Sequence, residues 1–261
     1  MSYKSLLVHV EADAAGRERV KVAVQLAKTF SAKLIGVGAR SSDVNPDLLG
    51  LSQAHLKQVV EEELARAESA FKEETAGLST DWRRSAEPPT AAMLRCACGV
   101  DLIVADAGID PPSETKAAAA DLIMGAGAPI FVAPAGAKPN FGIVLIGWKN
   151  TREARRAVWD AMPFLKRAKL VHVMRFASEP GGQAMADLIS RLQLHDVNAK
   201  EFVQTDPASA IAQGVRDAAT AAGAGLIVVG GYGHSRIREW VLGGVTADLV
   251  RDPSTSVLFS H

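Results

Sequence analysis

Short apolar runs alternate along this chain with longer stretches in which apolar residues recur every three or four positions. The short runs lie at 6–10, 102–104, 130–132, 143–146, 226–229 and 257–259. The longer stretches are typical of helices, and one apolar stripe consists of Val60, Leu64, Ala67 and Phe71. Apolar strands that alternate with helices are typical of a parallel sheet covered on both faces. The pattern therefore predicts an α/β chain with right-handed crossovers.

The same order of elements occurs twice. The matching segments are 6–40 with 142–176, 101–104 with 225–228, and 129–132 with 256–259. In the first pair the offset is constant, so that Leu7 falls on Ile143 and Val8 on Val144. Between the copies, 134–140 has the proline and glycine content of a linker. The sequence therefore predicts two domains, at 1–135 and 141–261.

Length and composition narrow the classes of function. The 261 residues suit two domains, and 29 basic against 29 acidic residues give a formal net charge of zero. A balanced chain lacks the basic stripe of a nucleic-acid-binding protein and has no charge that favours an acidic membrane surface. The longest uncharged stretch, 218–233, falls short of the roughly 18 apolar residues of a membrane span. We expect neither nucleic acid nor membrane as a partner.

Isolated reactive side chains add no catalytic chemistry. Cys96 and Cys98 are expected to point to different faces of a helix, where they hold no metal and form no disulfide. With so few cysteines and no signal-peptide pattern at the start of the chain, a reducing, cytoplasmic location is expected. His9 and His172 lie on predicted strands, and we interpret them as hydrogen-bonded core residues.

A glycine-rich run follows the apolar strand that ends at Val229. Gly230 and Gly233 flank two residues, and nine more residues lead to Gly243 and Gly244, where a helix is predicted to begin. Ligands of open parallel sheets bind beyond the carboxyl ends of the strands, and glycines let backbone N–H groups approach them closely. A helix N-terminus adds donors suited to phosphate. The run therefore predicts a phosphate-binding loop, with side-chain contacts expected from His234, Arg236, Arg238 and Thr246.

The spacing G-x2-G-x9-G resembles the nucleotide signature of the ATP-binding universal stress proteins, and the resemblance extends over the chain as two copies. It implies an α/β fold of two Rossmann-like, adenine nucleotide alpha hydrolase-like sandwiches in tandem, each with a five-stranded parallel sheet. It also implies that the fifth strand mediates dimerisation, either as an intramolecular pseudo-dimer or between two chains.

The resemblance also implies a set of nucleotide-binding residues in the second half. They are Gly147, Trp148, Lys149, Val173, Val229, Gly230, Gly233, His234, Arg236, Gly243, Gly244, Val245 and Thr246. Lys149 stands where the family has an acidic residue, and Gly244 stands where it has serine or threonine. The implied cofactor is ATP or another adenine nucleotide, alone or with Mg.

The first half departs further from the signature. Its counterpart loop, 105–112, has no second glycine at the right distance. Asp106 and Asp110 are expected to repel phosphate, and Pro111 and Pro112 lack backbone donors. We interpret this half as structural.

Three hypotheses for the function remain open. The first is a stress-response protein that binds one adenine nucleotide in its second half and acts by regulation, with hydrolysis at most slow because no base is identified. The second is a scaffold that binds unknown protein partners and no nucleotide. The third, an enzyme acting on adenine nucleotides, is disfavoured because no acid–base pair is recognised.

Overall fold

A computed structural model describes residues 2–41, 52–108, 113, 115–134, 136–177, 182–205, 211–231, 244–251 and 253–261. The chain divides into two compact units, which we call the N-terminal unit (Tyr3–Ala128) and the C-terminal unit (Pro129–His261, with Ser2). Each unit is a parallel α/β sandwich, as the pattern of apolar runs predicts. The predicted domain boundary at 135–141 lies on the connection between the fifth and sixth strands.

The N-terminal unit contains four parallel strands in the order β3-β2-β1-β4. Its elements are β1 Ser5–His9, α1 Ala14–Phe30, β2 Lys33–Ala39, α2 Gln53–Glu74, β3 Thr80–Ser85, α3 Pro89–Cys96, the 3-10 turn Ala97–Gly99, β4 Leu102–Asp106 and α4 Ala119–Gly125. The predicted stripe on α2 is confirmed, because Val60, Leu64, Ala67 and Phe71 are all buried.

The C-terminal unit contains six strands in the order β5-β10-β9-β6-β7-β8. Its elements are β5 Ile130–Ala133, β6 Ile143–Gly147, α5 Arg152–Asp160, α6 Met162–Leu165, β7 Leu170–Phe176, α7 Gly182–Leu194, β8 Ala199–Gln204, α8 Ile211–Ala222, β9 Leu226–Gly230, α9 Val245–Arg251 and β10 Ser256–Ser260. Five of these strands are parallel, as predicted for the second repeat. The strand β5, which closes the first repeat, pairs antiparallel with β10, which closes the second.

The sequence alignment of the two repeats is wrong by two residues at their first strand and helix. Asp13 caps α1 and Thr151 caps α5, which is an offset of 138 residues, whereas the alignment that places Leu7 on Ile143 has an offset of 136. The strand registers agree with the caps, because Leu6 pairs with Leu102 where Val144 pairs with Leu226. A slip of two residues keeps every strand side chain on its face, so a continuous apolar run cannot reveal it.

The isolated residues behave largely as expected. Cys96 is buried and Cys98 is exposed, and the Cys98 thiol donates to the Arg95 carbonyl oxygen at 3.7 Å. His9 is buried, with its Nε2 3.4 Å from the Ala39 carbonyl oxygen. His172 is only half-buried beside Phe202, so the expectation of a core position is wrong for this residue. Within the part of the chain that the structure describes, the Nδ1 atoms of His9 and His172 both lack a hydrogen-bond partner. None of the helices described is long and apolar enough to cross a membrane.

Candidate functional site

A cavity of about 220 Å³ opens at the carboxyl ends of three neighbouring strands in the C-terminal unit. We call it the C-terminal cavity. Strands β6, β7 and β9 contribute their last residues or the residues that follow, and α5, α8 and α9 close the sides. The lining residues are Gly147, Trp148, Lys149, Thr151, Glu153, Ala154, Met174, Arg175, Phe176, Ile211, Val215, Val229, Gly230, Val245 and Thr246. This is the edge at which open parallel sheets bind ligands.

Apolar and polar side chains both line the C-terminal cavity. Strand β6 lies between β7 and β9 in the sheet. Met174 and Phe176 come from the end of β7, where Arg175 donates from its Nε to Glu201 on β8. Val215 of α8 lies over the end of β6, 4.0 Å from the position of a β-carbon at Gly147. The polar residues on the β9 side include Thr246 and Glu153, whose Cβ lies beside Gly230.

Gly230 permits close contact between β9 and the first turn of α5. A β-carbon at Gly230 would lie 2.5 Å from the backbone nitrogen of Ala154 and 2.6 Å from the carbonyl carbon of Glu153. Side chains do not tolerate such distances to backbone atoms, so this position requires glycine for packing whether or not a ligand binds. The sequence predicts phosphate contact for Gly230, and close packing against α5 is a second reason for glycine at this position.

The turn after β6 is held by short-range hydrogen bonds that shape the rim of the cavity. The Trp148 backbone N–H donates to the Met174 carbonyl oxygen at 3.3 Å, which extends the β6–β7 ladder. The Thr151 N–H donates to the Lys149 carbonyl oxygen at 2.7 Å. The Thr151 hydroxyl oxygen then accepts from the Ala154 N–H at 3.3 Å and caps α5. Helix α5 therefore begins directly after this turn, and the exposed Lys149 lies at the rim of the cavity.

Glu153 places a carboxylate in the wall of the cavity. Its side chain is 11% exposed, and its Oε1 accepts from the Arg152 Nε at 3.2 Å. Burial raises the pKa of this carboxyl, but hydrogen bonds from its own backbone N–H and from Thr151, together with Arg152, outweigh burial and lower the pKa. The carboxylate is therefore ionised at neutral pH. Sequence analysis missed Glu153, because an acid in the first turn of a helix is usually a solvated residue that favours the helix dipole.

The structure brings seven of the predicted nucleotide-binding residues together in the cavity wall. They are Gly147, Trp148, Lys149, Val229, Gly230, Val245 and Thr246. Val173 is fully buried inside β7, and the three residues after it reach the cavity because β7 continues to Phe176. Gly244 precedes α9, and its carbonyl oxygen accepts from the Asp248 N–H at 3.0 Å. The remaining predicted residues, Gly233, His234, Arg236, Arg238 and Gly243, lie outside the residues that the structure describes.

The N-terminal unit has a charged network at the corresponding strand ends. The buried Arg19 donates from its Nε to the His9 carbonyl oxygen at 2.9 Å and from its NH2 to Glu11 Oε2 at 2.6 Å. It also forms an ion pair with Asp106, which ends β4 as Gly230 ends β9. Asp106 therefore has a partner within the unit, whereas Asp110 lies outside the described residues.

A cleft of about 480 Å³, the N-terminal cleft, lies beside this network. Its charged lining residues are Glu11, Asp13, Arg40, Glu63, Arg66 and Lys116. Arg40 and Glu63 are paired with each other, and the Asp13 side chain accepts from the Gly16 N–H to cap α1. Several of these charges therefore already have partners within the chain. Across the parts of both units that the structure describes, no three His, Cys, Asp or Glu side chains cluster closely enough to hold a metal ion.

Comparison with known proteins agrees with this mainly parallel α/β fold. A universal stress protein from Archaeoglobus fulgidus DSM 4304 is 10% identical and has a TM-score of 0.75, covering 98% of this chain and 95% of its own. A functionally unknown protein from Pseudomonas aeruginosa PAO1 is 16% identical with a TM-score of 0.57, covering 99% of this chain and 92% of its own. No family model and no curated protein matches the sequence.

A third similar structure comes from Pseudomonas aeruginosa UCBPP-PA14, for a protein with a provisional universal stress protein assignment. It is 16% identical, has a TM-score of 0.58, and covers 99% of this chain and 93% of its own. The chain therefore has the universal stress protein fold, and the resemblance stated from the sequence is confirmed at the level of the fold.

Proposed function

We propose that this protein is a tandem universal stress protein that binds one adenine nucleotide, ATP or a close relative, in its C-terminal cavity and acts by regulation. The observation that carries the proposal is that one cavity at the carboxyl edge combines apolar side chains, among them Met174, Phe176 and Ile211, with the polar side chains of Lys149, Glu153 and Thr246. A nucleotide likewise combines a flat base with a polar ribose phosphate. Pockets that are mainly apolar with a few convergent polar groups are typical of such ligands.

The residues fit the two parts of the ligand. The base would pack against Met174, Phe176 and Ile211, with Val215 beneath it. The ribose and phosphates would lie toward Gly230 and Thr246, within reach of the Lys149 ammonium group. The implied contacts of Gly233, His234, Arg236 and Gly243 with phosphate stay predictions from the signature spacing. Mg would enter with the phosphates, because the described cavity residues offer a single carboxylate.

Turnover of the nucleotide would be slow. Glu153 is the carboxylate of the described cavity wall, and its lowered pKa makes it a weak base toward water. A nucleotide held without rapid hydrolysis suits a regulatory role, in which occupancy alters a surface that protein partners read.

We infer a structural role for the N-terminal unit. At the strand ends that correspond to the C-terminal cavity, Arg19 pairs with both Glu11 and Asp106, so these charges have partners within the unit. The antiparallel pairing of β5 with β10 supports an intramolecular pseudo-dimer, because these are the fifth strands of the two repeats.

A scaffold without nucleotide is the second candidate, and two observations favour it. Gly230 is explained by packing against Ala154, and the Glu153 carboxylate places negative charge near the proposed phosphate path. Calorimetry separates the two candidates. ATP, ADP and AMP would be titrated, with and without Mg, into the full chain, and we expect about one site per chain.

Two surface variants test whether the heat of binding comes from the C-terminal cavity. Ile211 is 58% exposed and lines the cavity, whereas Leu194 is 82% exposed on α7 and does not. Ile211→Glu should abolish binding, since it replaces the apolar base contact with a charge, and Leu194→Glu should leave binding unchanged. No heat with millimolar nucleotide would overturn the proposal in favour of the scaffold.

A further inference from the structure

The C-terminal cavity contains a charged group for which the signature spacing provides no role. Glu153 is ionised and lies beside the carboxyl end of β9. We propose that Glu153 is the residue by which this site recognises the ribose, accepting hydrogen bonds from its 2′- and 3′-hydroxyl groups. This inference rests on the proposed function and concerns which nucleotides the site selects.

The position of Glu153 is fixed by packing. Its Cβ would lie 2.9 Å from a β-carbon at Gly230, so the helix and the strand are in direct contact at this point. The Thr151 cap begins α5 two residues earlier. Backbone packing therefore fixes the Cβ from which the carboxylate extends, at the wall of the cavity.

The carboxylate retains hydrogen-bonding capacity. A carboxylate offers about four acceptor positions, and the Arg152 Nε occupies one of them at 3.2 Å. A buried charge whose acceptor positions are only partly filled is costly, and a ligand donor that fills a further position lowers that cost. Ligand binding at this wall is therefore favoured by hydroxyl or amino donors and opposed by anions.

The surroundings favour a vicinal diol over the other donors. A metal ion needs several oxygen ligands, and the described residues show no such cluster. The adenine amino group would lie across β6, beside Met174 and Phe176. Phosphate oxygens are negatively charged, so an ionised carboxylate repels them. The ribose hydroxyls are neutral donors, and a ribose next to phosphates near Gly230 would lie beside Glu153.

The test is the ratio of affinities for ATP and 2′-deoxy-ATP, with 3′-deoxy-ATP as the second probe, measured by calorimetry on the full chain. One hydrogen bond to a carboxylate predicts a preference for ATP of about tenfold. In Glu153→Ala this preference should fall to about one, and Glu153→Gln should retain part of it because the amide oxygen still accepts. Asp187→Asn is the matched control, since Asp187 lies exposed on α7 and pairs with Gln183.

The outcomes separate the two proposals. Equal affinity of the wild-type protein for ATP and both deoxy analogues would overturn the role of Glu153 and leave nucleotide binding standing. A preference that persists in Glu153→Ala would do the same. A wild-type protein that binds none of the three nucleotides would overturn the proposed function itself. A tenfold preference that disappears in Glu153→Ala and survives in Asp187→Asn supports the inference.

Discussion

Gly230 and Glu153 are in direct contact, because a β-carbon at Gly230 would lie only 2.9 Å from Glu153 Cβ. The contact joins the end of β9 to the first turn of α5 and holds a carboxylate at the cavity wall. Gly230 therefore permits the packing that places Glu153 at the wall of the C-terminal cavity.

Gly230→Ala should destabilise the C-terminal unit. The new β-carbon would meet the Ala154 nitrogen at 2.5 Å, so α5 must shift, and overpacking of this kind costs about 1–3 kcal/mol. Urea unfolding measures the loss. Gly99→Ala is the control, since nothing lies within 4 Å of a β-carbon there. Equal stability of the two variants would show that β9 and α5 are not in close contact.

Arg19→Met should destabilise the N-terminal unit strongly. It leaves Glu11 and Asp106 without their shared cation, and breaking a buried ion pair by removal of one partner costs about 3–5 kcal/mol. The matched control is Arg17→Met, which removes an exposed arginine that pairs with Glu73 at 3.4 Å. Chemical denaturation should show little change for Arg17→Met, and a similarly small change for Arg19→Met would argue against the network.

The stability of the N-terminal unit should fall as the pH is lowered from 6.5. Burial, aided by Arg19, lowers the pKa of His9 to about 3 from its ordinary value of 6.5. Between these values the unfolded chain binds a proton that the folded chain does not, so acid favours unfolding by at most about 1.4 kcal/mol per pH unit. The contribution of neutral His9 is therefore fully present above pH 6.5 and is lost toward pH 3.

His9→Gln isolates this effect from the other histidines. Between pH 7 and pH 4.5, the free energy of unfolding should decline less steeply in the variant. The difference between the two slopes should correspond to the uptake of up to one proton on unfolding. The same slope in both proteins would mean that the pKa of His9 is not lowered in the folded state.

Lys149→Ala should weaken ATP binding about fivefold, because an exposed charge pair contributes up to about 1 kcal/mol. Adenosine lacks phosphates, so its affinity should not change, and the effect on ATP should shrink at high salt. Lys169→Ala provides an exposed lysine outside the cavity as the control. An equal loss of affinity for adenosine would place Lys149 against the base or ribose.

Much of the fold follows from the apolar pattern alone. Runs such as 226–229 are buried on both faces, and only strands of a covered parallel sheet combine that length with that composition. The alignment of the repeats was less secure, because apolar residues two positions apart are interchangeable on a strand. The caps at Asp13 and Thr151 carry the missing information, and a comparison of helix caps would have found the correct offset.

The site was predictable where it depends on glycine spacing and strand ends, as for Gly147, Gly230 and Thr246. The burial of Glu153 and Arg19 was not predictable, since charged residues in the first turns of a helix are usually exposed to solvent. Their burial depends on which residue ends a strand far along the chain, Gly230 in one unit and Asp106 in the other. No local pattern shows that pairing.

The central claim is that one adenine nucleotide binds in the C-terminal cavity, and photoaffinity labelling with 8-azido-ATP tests it most directly. The azido group sits on the base, so crosslinks should map to peptides that contain Met174–Phe176 or Ile211–Val215, and excess ATP should suppress them. Labelling confined to Tyr3–Ala128, or labelling that ATP does not suppress, would contradict the claim.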